Sequence, residues 1–566
     1  MGTASSGDRQ RVVVVTGGGG GIGAAIAEEL GRTGHFVVTM DPLVTVDGSE
    51  QLPPAEETTA GRIVAAGGSA RASSVSVTDR EAVRDLFEGL VAELGGLDGV
   101  VNVAGITRPT SFATGDEDDW LGVLSVHLDG YLNILGAALP IMARAGYGRI
   151  LGVTSGSGWR PADTGAYGCA KRAVASLTWQ LGAQPPAGVV VNAMSPIAAT
   201  RMVTAALGRA KPAATSGASS STGGLSLDAM PTPDQLGPLG AHLVGDGFSW
   251  CSGQVLFAGG PEAAVIDPPR LLEVVRSEGA SLAHVLDVVT TGALIPAEEK
   301  QATNGATNPR FGPVFDAAAP DERAPAGVRS CALVSDRPEL VAALAAALEA
   351  RGVAACTVPI ERAAPGFAGA TEALRSTVER AGPVDAVVVA LAAPAPVGDA
   401  DGWERVLAEH EGVTRQIHVD ASWTRAVVAL SAGADRPLRL VTLTDATTAG
   451  GRSRAQASAQ LTRSSRRATH ERVAAFAVSV ESADAGDEVT VAELAAHLVC
   501  DADALALSGA ELVAGSGWFG LRSHPRPGGS ITVGDGGIPR WFDDTLRRVV
   551  NPVAPTGADT TSEVTG

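Results

Sequence analysis

Short runs of consecutive apolar residues alternate along this chain with longer stretches in which apolar positions recur every three to four residues. The runs are RVVVVTG (11–17), HFVVTMD (35–41), LDGVVNVAG (97–105), GRILGVTS (148–155) and GVVVNAMSP (188–196). An unbroken apolar run needs cover on both faces, and the intervening stretches, such as GIGAAIAEELGRTG (21–34), carry the helical period. Strands of this kind separated by helices predict an α/β fold with a doubly wound parallel sheet. Three stretches break the pattern. KPAATSGASSSTGG (211–224) is rich in Ser and Gly and is expected to be mobile, residues 296–312 and 316–327 read as a linker, and roughly 550–566 as a frayed end.

Length and composition narrow the classes. A chain of 566 residues calls for two or three domains. Its 62 acidic and 43 basic residues leave a formal charge of −19, which argues against nucleic acid or an anionic membrane as main partner. No apolar run approaches the length of a membrane span. The polar start MGTASSGDRQR lacks the apolar centre of a secretory signal. It matches the N-myristoylation pattern at Gly2 and Ser6, but without a second anchoring signal. Five scattered cysteines without a CxxC suit a reducing cytoplasm and speak against disulfides or a zinc site; no metal is expected.

The first chemical motif is VVVVTGGGGGIGAAIAEEL. Gly17, Gly21 and Gly23, with Ile22 between the last two, follow a strand and open a helix. Missing side chains let the backbone approach a pyrophosphate, and the helix N-terminus offers N–H groups and a positive dipole end. Asp41 ends the second strand, where a carboxylate accepts hydrogen bonds from the adenosine ribose hydroxyls. No Lys or Arg lies within 17–23 or directly after Asp41 to pair with a 2′-phosphate, so NAD is expected over NADP. In TGAYGCAKRA (164–173), Tyr167 and Lys171 stand four apart, on one face of a helix.

TGGGGGIG (16–23), NVAG (102–105), Ser155 and YGCAK (167–171), in that order, resemble the short-chain dehydrogenase/reductase family over residues 10–265. The run DGVVNVAGITRPTSFATGDEDDWLGVLSVHLDGY, the long insert after Asp41 and GQVLFAGGPEAAVIDPPRLLEVVRSEG are similar to its D-3-hydroxyacyl-CoA dehydrogenase branch, also known as a hydroxysteroid dehydrogenase. The resemblance implies that Tyr167 takes the alcohol proton. Lys171 would lower the tyrosine's pKa and hold the nicotinamide ribose, and Ser155 would hold the substrate oxygen. Asn102, Ala104, Gly105 and Thr200 would complete the cofactor site. Several positions depart from the family. The spacing from Ser155 to Tyr167 is one residue short, which lets Ser157 or Thr154 share the serine's role. His127 in SVHLDG replaces the usual asparagine, either as a neutral histidine holding the relay water or as a packed helix histidine. Ser76 replaces the acid near the adenine, and Ser195-Pro196-Ile197 the usual Pro-Gly.

The second half parallels the first. RSCALVSDRPELVAALAAALEARG (329–352) follows the pattern of the first strand and helix, and DGWERVLAEH (401–410) matches DDWLGVLSVH (118–127), with Trp403 and His410 in the places of Trp120 and His127. LRLVTLTD puts Asp445 opposite Ser155, and 493–517 mirrors 238–260. A tandem duplication is expected, with the second copy degenerate. Its turn is SDRPEL, where Asp336 would repel a pyrophosphate; no tyrosine follows Tyr167 and no lysine follows Lys300. The arginines of RSRAQASAQLTRSSRRA read as a solvated face rather than a site for an acidic surface or a CoA phosphate. The expected organisation is a catalytic NAD-binding domain (1–265), an extension and linker (266–325), a degenerate Rossmann domain (326–525) and a C-terminal tail (526–566). The two domains would pair as an internal pseudo-dimer, with further homo-oligomerisation open. The expected activity is NAD-dependent interconversion of a secondary alcohol and a ketone in the cytoplasm, acting on a small molecule. A non-catalytic dinucleotide-binding scaffold or sensor is the alternative.

Overall fold

The computed structural model describes residues 9–53, 56–209, 230–276, 282–302, 326–360, 366–393, 398, 400–434, 436–482, 484, 487–534 and 537–550. The Ser/Gly-rich stretch 211–224, most of the expected linker and the end of the chain lie outside these residues.

Two sheets form. Across the first, the strands run Ser69–Ser73, Phe36–Met40, Val12–Thr16, Gly99–Asn102, Gly148–Val153, Val189–Pro196, Val255–Gly259, Glu262–Asp267 and Arg526–Thr532. The first seven are parallel, and Glu262–Asp267 runs antiparallel to its neighbours on both sides. The strand Val12–Thr16 is buried along its whole length, as its unbroken valines require. The second sheet runs Ala354–Thr357, Ser330–Ser335, Ala386–Ala390, Leu438–Asp445, Val473–Val480, Glu511–Gly515, Trp518–Arg522 and Leu271–Val275. Its six leading strands are parallel too. This is the doubly wound, Rossmann-like architecture, present twice.

The edges differ from the expected boundaries. Each half ends in an antiparallel hairpin and then sends one more strand into the other sheet. Leu271–Val275 leaves the first half and pairs with Trp518–Arg522; Arg526–Thr532 leaves the second half and pairs with Glu262–Asp267. The crossing segments bond to each other, the Ser523 amide donating to the Arg270 carbonyl at 2.8 Å and the Arg270 amide to the Ser523 hydroxyl at 3.1 Å. Residues 526–550 are therefore not a tail: Ile531, Phe542 and Leu546 join the core of the first sheet. The described part 282–302 of the expected extension and linker packs as well: Leu282–Val289 and the helical turns after it put Val285, Leu286, Leu294 and Ala297 into the second core. Long-range pairing of this kind leaves no local signal in RPGGSIT, the start of the expected tail.

The halves meet through two long helices, Gly165–Ala183 and Ala449–Ala468, and one apolar core runs through the contact, from Ala166, Ala170 and Ala173 to Ala457 and Leu461. The small side chains let the helices approach closely. RSRAQASAQLTRSSRRA is consequently buried along most of its length instead of forming a solvated face. Its Arg454 makes a two-pronged pair with Asp420, 2.7 Å at each prong. Trp120 packs edge-on against Phe367 of the other half, 5.7 Å between centroids. The continuous helical run Glu117–Ala145 that carries Trp120 is long and apolar enough to cross a membrane by composition, but half of its apolar window is buried inside the protein.

At the centre of the contact lies a buried polar cluster. Arg172 Nε donates to Gln456 Oε1 at 2.9 Å and Nη2 to Glu511 Oε2 at 2.7 Å; His524 Nδ1 stands 3.2 Å from Nη2, and Gln456 also donates to Glu511. Burial pushes the Glu511 carboxyl up in pKa, and the Arg172 guanidinium works against that shift. Removing one partner from a fully buried pair strands the other charge, at a cost of about 3–5 kcal/mol, whereas replacing both by apolar groups is far better tolerated. Arg172→Ala is therefore expected to shift the urea midpoint strongly downward, and Arg172→Met combined with Glu511→Leu to recover most of the loss. Equal destabilisation by the single and double variants would contradict this account.

Candidate active site

The glycine-rich turn forms because no side chain fits there. A Cβ on Gly23 would lie 2.2 Å from the Gly17 carbonyl oxygen, and Gly17 and Gly21 take φ of +65° and +55°. The helix Gly21–Arg32 that follows has no side-chain cap and no acid in its first turn, so its N–H groups and dipole stay available to an anion. Asp41 sits beside the turn, accepting from the Gly19 amide at 3.0 Å and the Leu43 amide at 2.8 Å. Thr16 bridges turn and sheet: its hydroxyl donates to Asn102 Oδ1 at 2.9 Å and accepts from the Ala104 amide at 3.1 Å.

The helix Gly165–Ala183 brings Tyr167 and Lys171 onto one side. Lys171 Nζ donates to the Val153 carbonyl at 2.6 Å and lies 5.8 Å from the Tyr167 ring centroid. Burial lowers the Lys171 pKa to about 7. Burial raises that of Tyr167, and a hydrogen bond with Ser155 offsets part of the rise. Ser155 stands at the end of the strand Gly148–Val153, capping a short turn through the Ser157 amide at 3.3 Å. The neighbouring Thr154 hydroxyl donates to the Lys171 carbonyl at 2.5 Å.

His127 lies in a π-helical turn, Ser125–Asp129, a local widening often found at functional sites. Its ring stands edge-on to Tyr167, 5.1 Å between centroids, and fills the space next to Gly105, where a Cβ would meet Cε1 at 2.4 Å. Nε2 faces the backbone of Ile106, 2.8 Å from its carbonyl oxygen and 3.3 Å from its amide nitrogen, while Nδ1 is buried without a hydrogen-bond partner among the described residues. Desolvation, aided by the Lys171 charge, lowers the His127 pKa to about 3, so the imidazole stays neutral near pH 7.

These groups line one cleft of about 1740 Å³. Gly17, Gly21, Ile22, Asp41, Ala104, Gly105, His127, Ser155, Tyr167, Lys171 and Thr200 all border it. Gly23 and Asn102 do not; they act from behind, one by close packing and the other through Thr16. Thr200 caps the helix Arg201–Arg209 through the Val203 amide at 3.3 Å. Arg201 escaped the reading of the sequence. Its Nη2 lies 3.3 Å from where a Cβ on Gly20 would stand, putting a cation beside the glycine turn; its only signal was adjacency to Thr200. Asp163 was missed as well. It lines the cleft, and burial raises its carboxyl to about 6. In the second half the corresponding turn carries Arg337 ahead of a Pro-led helix, and Asp336 accepts from the Ala392 amide at 2.8 Å.

A doubly wound sheet with a glycine turn at its switch point, and a Tyr/Lys helix beside it, defines a dinucleotide-fold oxidoreductase. The family model for short chain dehydrogenase matches residues 11–210. A short-chain reductase protein NovJ of Streptomyces niveus is 38% identical over 185 residues, 32% of this chain and 67% of that protein. Hydroxyacyl-CoA dehydrogenase ChsB1 of Mycobacterium tuberculosis is 29% identical over 274 residues, 46% of this chain and 81% of its own length. The chain belongs to the short-chain dehydrogenase/reductase family. The N-domain of bacterial malonyl-CoA reductase, solved with NADP, has the same fold over 87% of this chain and 95% of its own length, with a TM-score of 0.61 at 15% identity.

The low pKa of His127 predicts a pH effect on stability. Unfolded histidine titrates near 6.5 and His127 in the fold near 3, so below about pH 6.5 the unfolded chain binds the extra proton and stability falls. His127→Asn removes that group. Between pH 7 and pH 5 the variant is expected to lose roughly 2 kcal/mol less unfolding free energy than the wild type. Parallel losses in urea titrations at the two pH values would refute the assignment.

Proposed function

We propose that this chain interconverts a secondary alcohol and a ketone at a single site, with NAD as its dinucleotide. The observation that carries the reading is the convergence of Ser155, Tyr167 and Lys171 on the cleft that also holds the glycine turn. A bound dinucleotide would supply the hydride acceptor or donor. Tyr167 exchanges the proton of the substrate oxygen, Ser155 donates a hydrogen bond to that oxygen, and Lys171 stabilises the phenolate. His127 braces the Tyr167 ring edge-on. Asp41 next to the turn favours ribose hydroxyls over a 2′-phosphate, and Arg201 supports the diphosphate. A scaffold without catalysis leaves the Ser155, Tyr167 and Lys171 arrangement without a role.

The cleft is larger than one ligand needs, which suits a bulky second ligand. Together with the similarity to a hydroxyacyl-CoA dehydrogenase, this supports a 3-hydroxyacyl-CoA or a hydroxysteroid-like substrate. The second half, a degenerate copy in our reading, binds no dinucleotide and serves as the internal partner of the first. Five free cysteines agree with a cytoplasmic setting.

Tyr167→Phe is expected to lower turnover roughly 10²–10⁴-fold while NADH binding, read by fluorescence, persists. Unchanged turnover would remove Tyr167 from the mechanism. Asp41→Ala should narrow the preference for NAD over NADP in kcat/KM, and a wild type that prefers NADP would overturn the cofactor assignment. Calorimetry should give one NADH per chain; two would show that the second half binds as well.

A further inference from the structure

The exchanged strand Arg526–Thr532 also reaches the cleft. Side chains alternate across a strand, and its neighbour shows the alternation: Glu262, Ala264 and Ile266 border the cleft, while Ala263 and Val265 point into the core. Ser530 pairs with Ala264 and Ile531 with Ala263, so Ser530 continues the cleft face and Ile531 the core face. Pro527, Gly528 and Gly529 border the cleft too, where the register slips. The two glycines cannot be enlarged without displacement. A Cβ on Gly528 would stand 2.8 Å from the Asp267 carboxylate, and one on Gly529 2.9 Å from Val549. This stretch of wall is thus the Pro527 ring, two glycines of bare backbone and one small hydroxyl. Trp159, Met202 and Phe257 line the same cleft and give it an apolar character.

The strand is anchored from the other half. His524, two residues before it, belongs to the buried cluster around Arg172, the neighbour of Lys171. The wall and the catalytic helix are therefore held by the same contact.

We propose that Pro527–Ser530, supplied from beyond the second sheet, forms the specificity wall of the site in the first. By staying free of large side chains it admits an alcohol with a bulky, mainly apolar body, either a long acyl thioester or a fused-ring alcohol. The proposal rests on the dehydrogenase reading above.

The test is a side chain placed on the wall. Ser530→Trp is assayed with short and long 3-hydroxyacyl-CoA substrates and a hydroxysteroid, with NADH affinity measured separately. Expected is at least a tenfold fall in the ratio of kcat/KM for bulky over short substrates, with NADH affinity retained. A fall confined to long thioesters identifies the acyl class, and one confined to the steroid the fused-ring class. Ser530→Ala should keep the wild-type ratio, and Ala264→Leu on the adjacent strand should shift it as Trp does, which covers the case of a misfolded Trp variant. An unchanged ratio in a Trp or Leu variant that binds NADH normally overturns the wall. A wild type that binds NADH but turns over none of the panel overturns the dehydrogenase reading, and the wall with it.

Discussion

The close contact between the helices Gly165–Ala183 and Ala449–Ala468 constrains everything else in this molecule. One helix carries Tyr167 and Lys171; the other belongs to the opposite half. Small residues set the distance, and the Arg172–Gln456–Glu511–His524 cluster sets the register, because a buried guanidinium tolerates few arrangements in which its charge is matched. The residue after the lysine is thus tied to the far sheet. The loop leading into the same helix is held similarly, with Gln460 donating to the Arg160 carbonyl at 3.1 Å and Ser464 to the Ala162 carbonyl at 3.1 Å. Ser155 and Tyr167 lie on either side of that loop, so the second half contributes to their relative position.

The strand exchange makes the halves interdependent in a second way. Each sheet takes its last strand from the other half, and each half alone would present an unpaired edge next to apolar surface. The fused chain covers both edges, and the crossing segments bond to each other at Ser523 and Arg270. The edge of the first sheet then lies beside the cleft, so the covering of an edge and the shaping of a site fall to the same residues.

Much of this was legible in the sequence. Unbroken valine runs with helices between them announce a buried parallel sheet, and the glycine turn, NVAG, serine and Tyr/Lys pair, in that order, mark the segments that meet at the cleft. The individual roles were harder to read. Gly23 and Asn102 fit the motif, yet they support the turn from behind and do not border the cleft. Thr154 and Ser155 look interchangeable in sequence, and the hydrogen bond from the Thr154 hydroxyl to the Lys171 carbonyl is seen only in the fold. Asp163 reaches the cleft from a loop whose course carries no periodic signal, and Arg201 from the first position of a helix whose placement depends on the loop before it.

What the sequence determined by itself is local: which runs are strands, where a backbone must lie bare, and which half lacks the tyrosine and lysine for chemistry. The tertiary structure decided what depends on distant residues meeting. It turned an arginine-rich helix into a buried interface, made a strand of RPGGSIT and moved it to the other sheet, and fixed His127 as a neutral ring against Tyr167. Periodicity and motif spacing report on each residue's near neighbours along the chain. The partner of a buried charge or of a sheet edge lies hundreds of positions away, and only packing selects it.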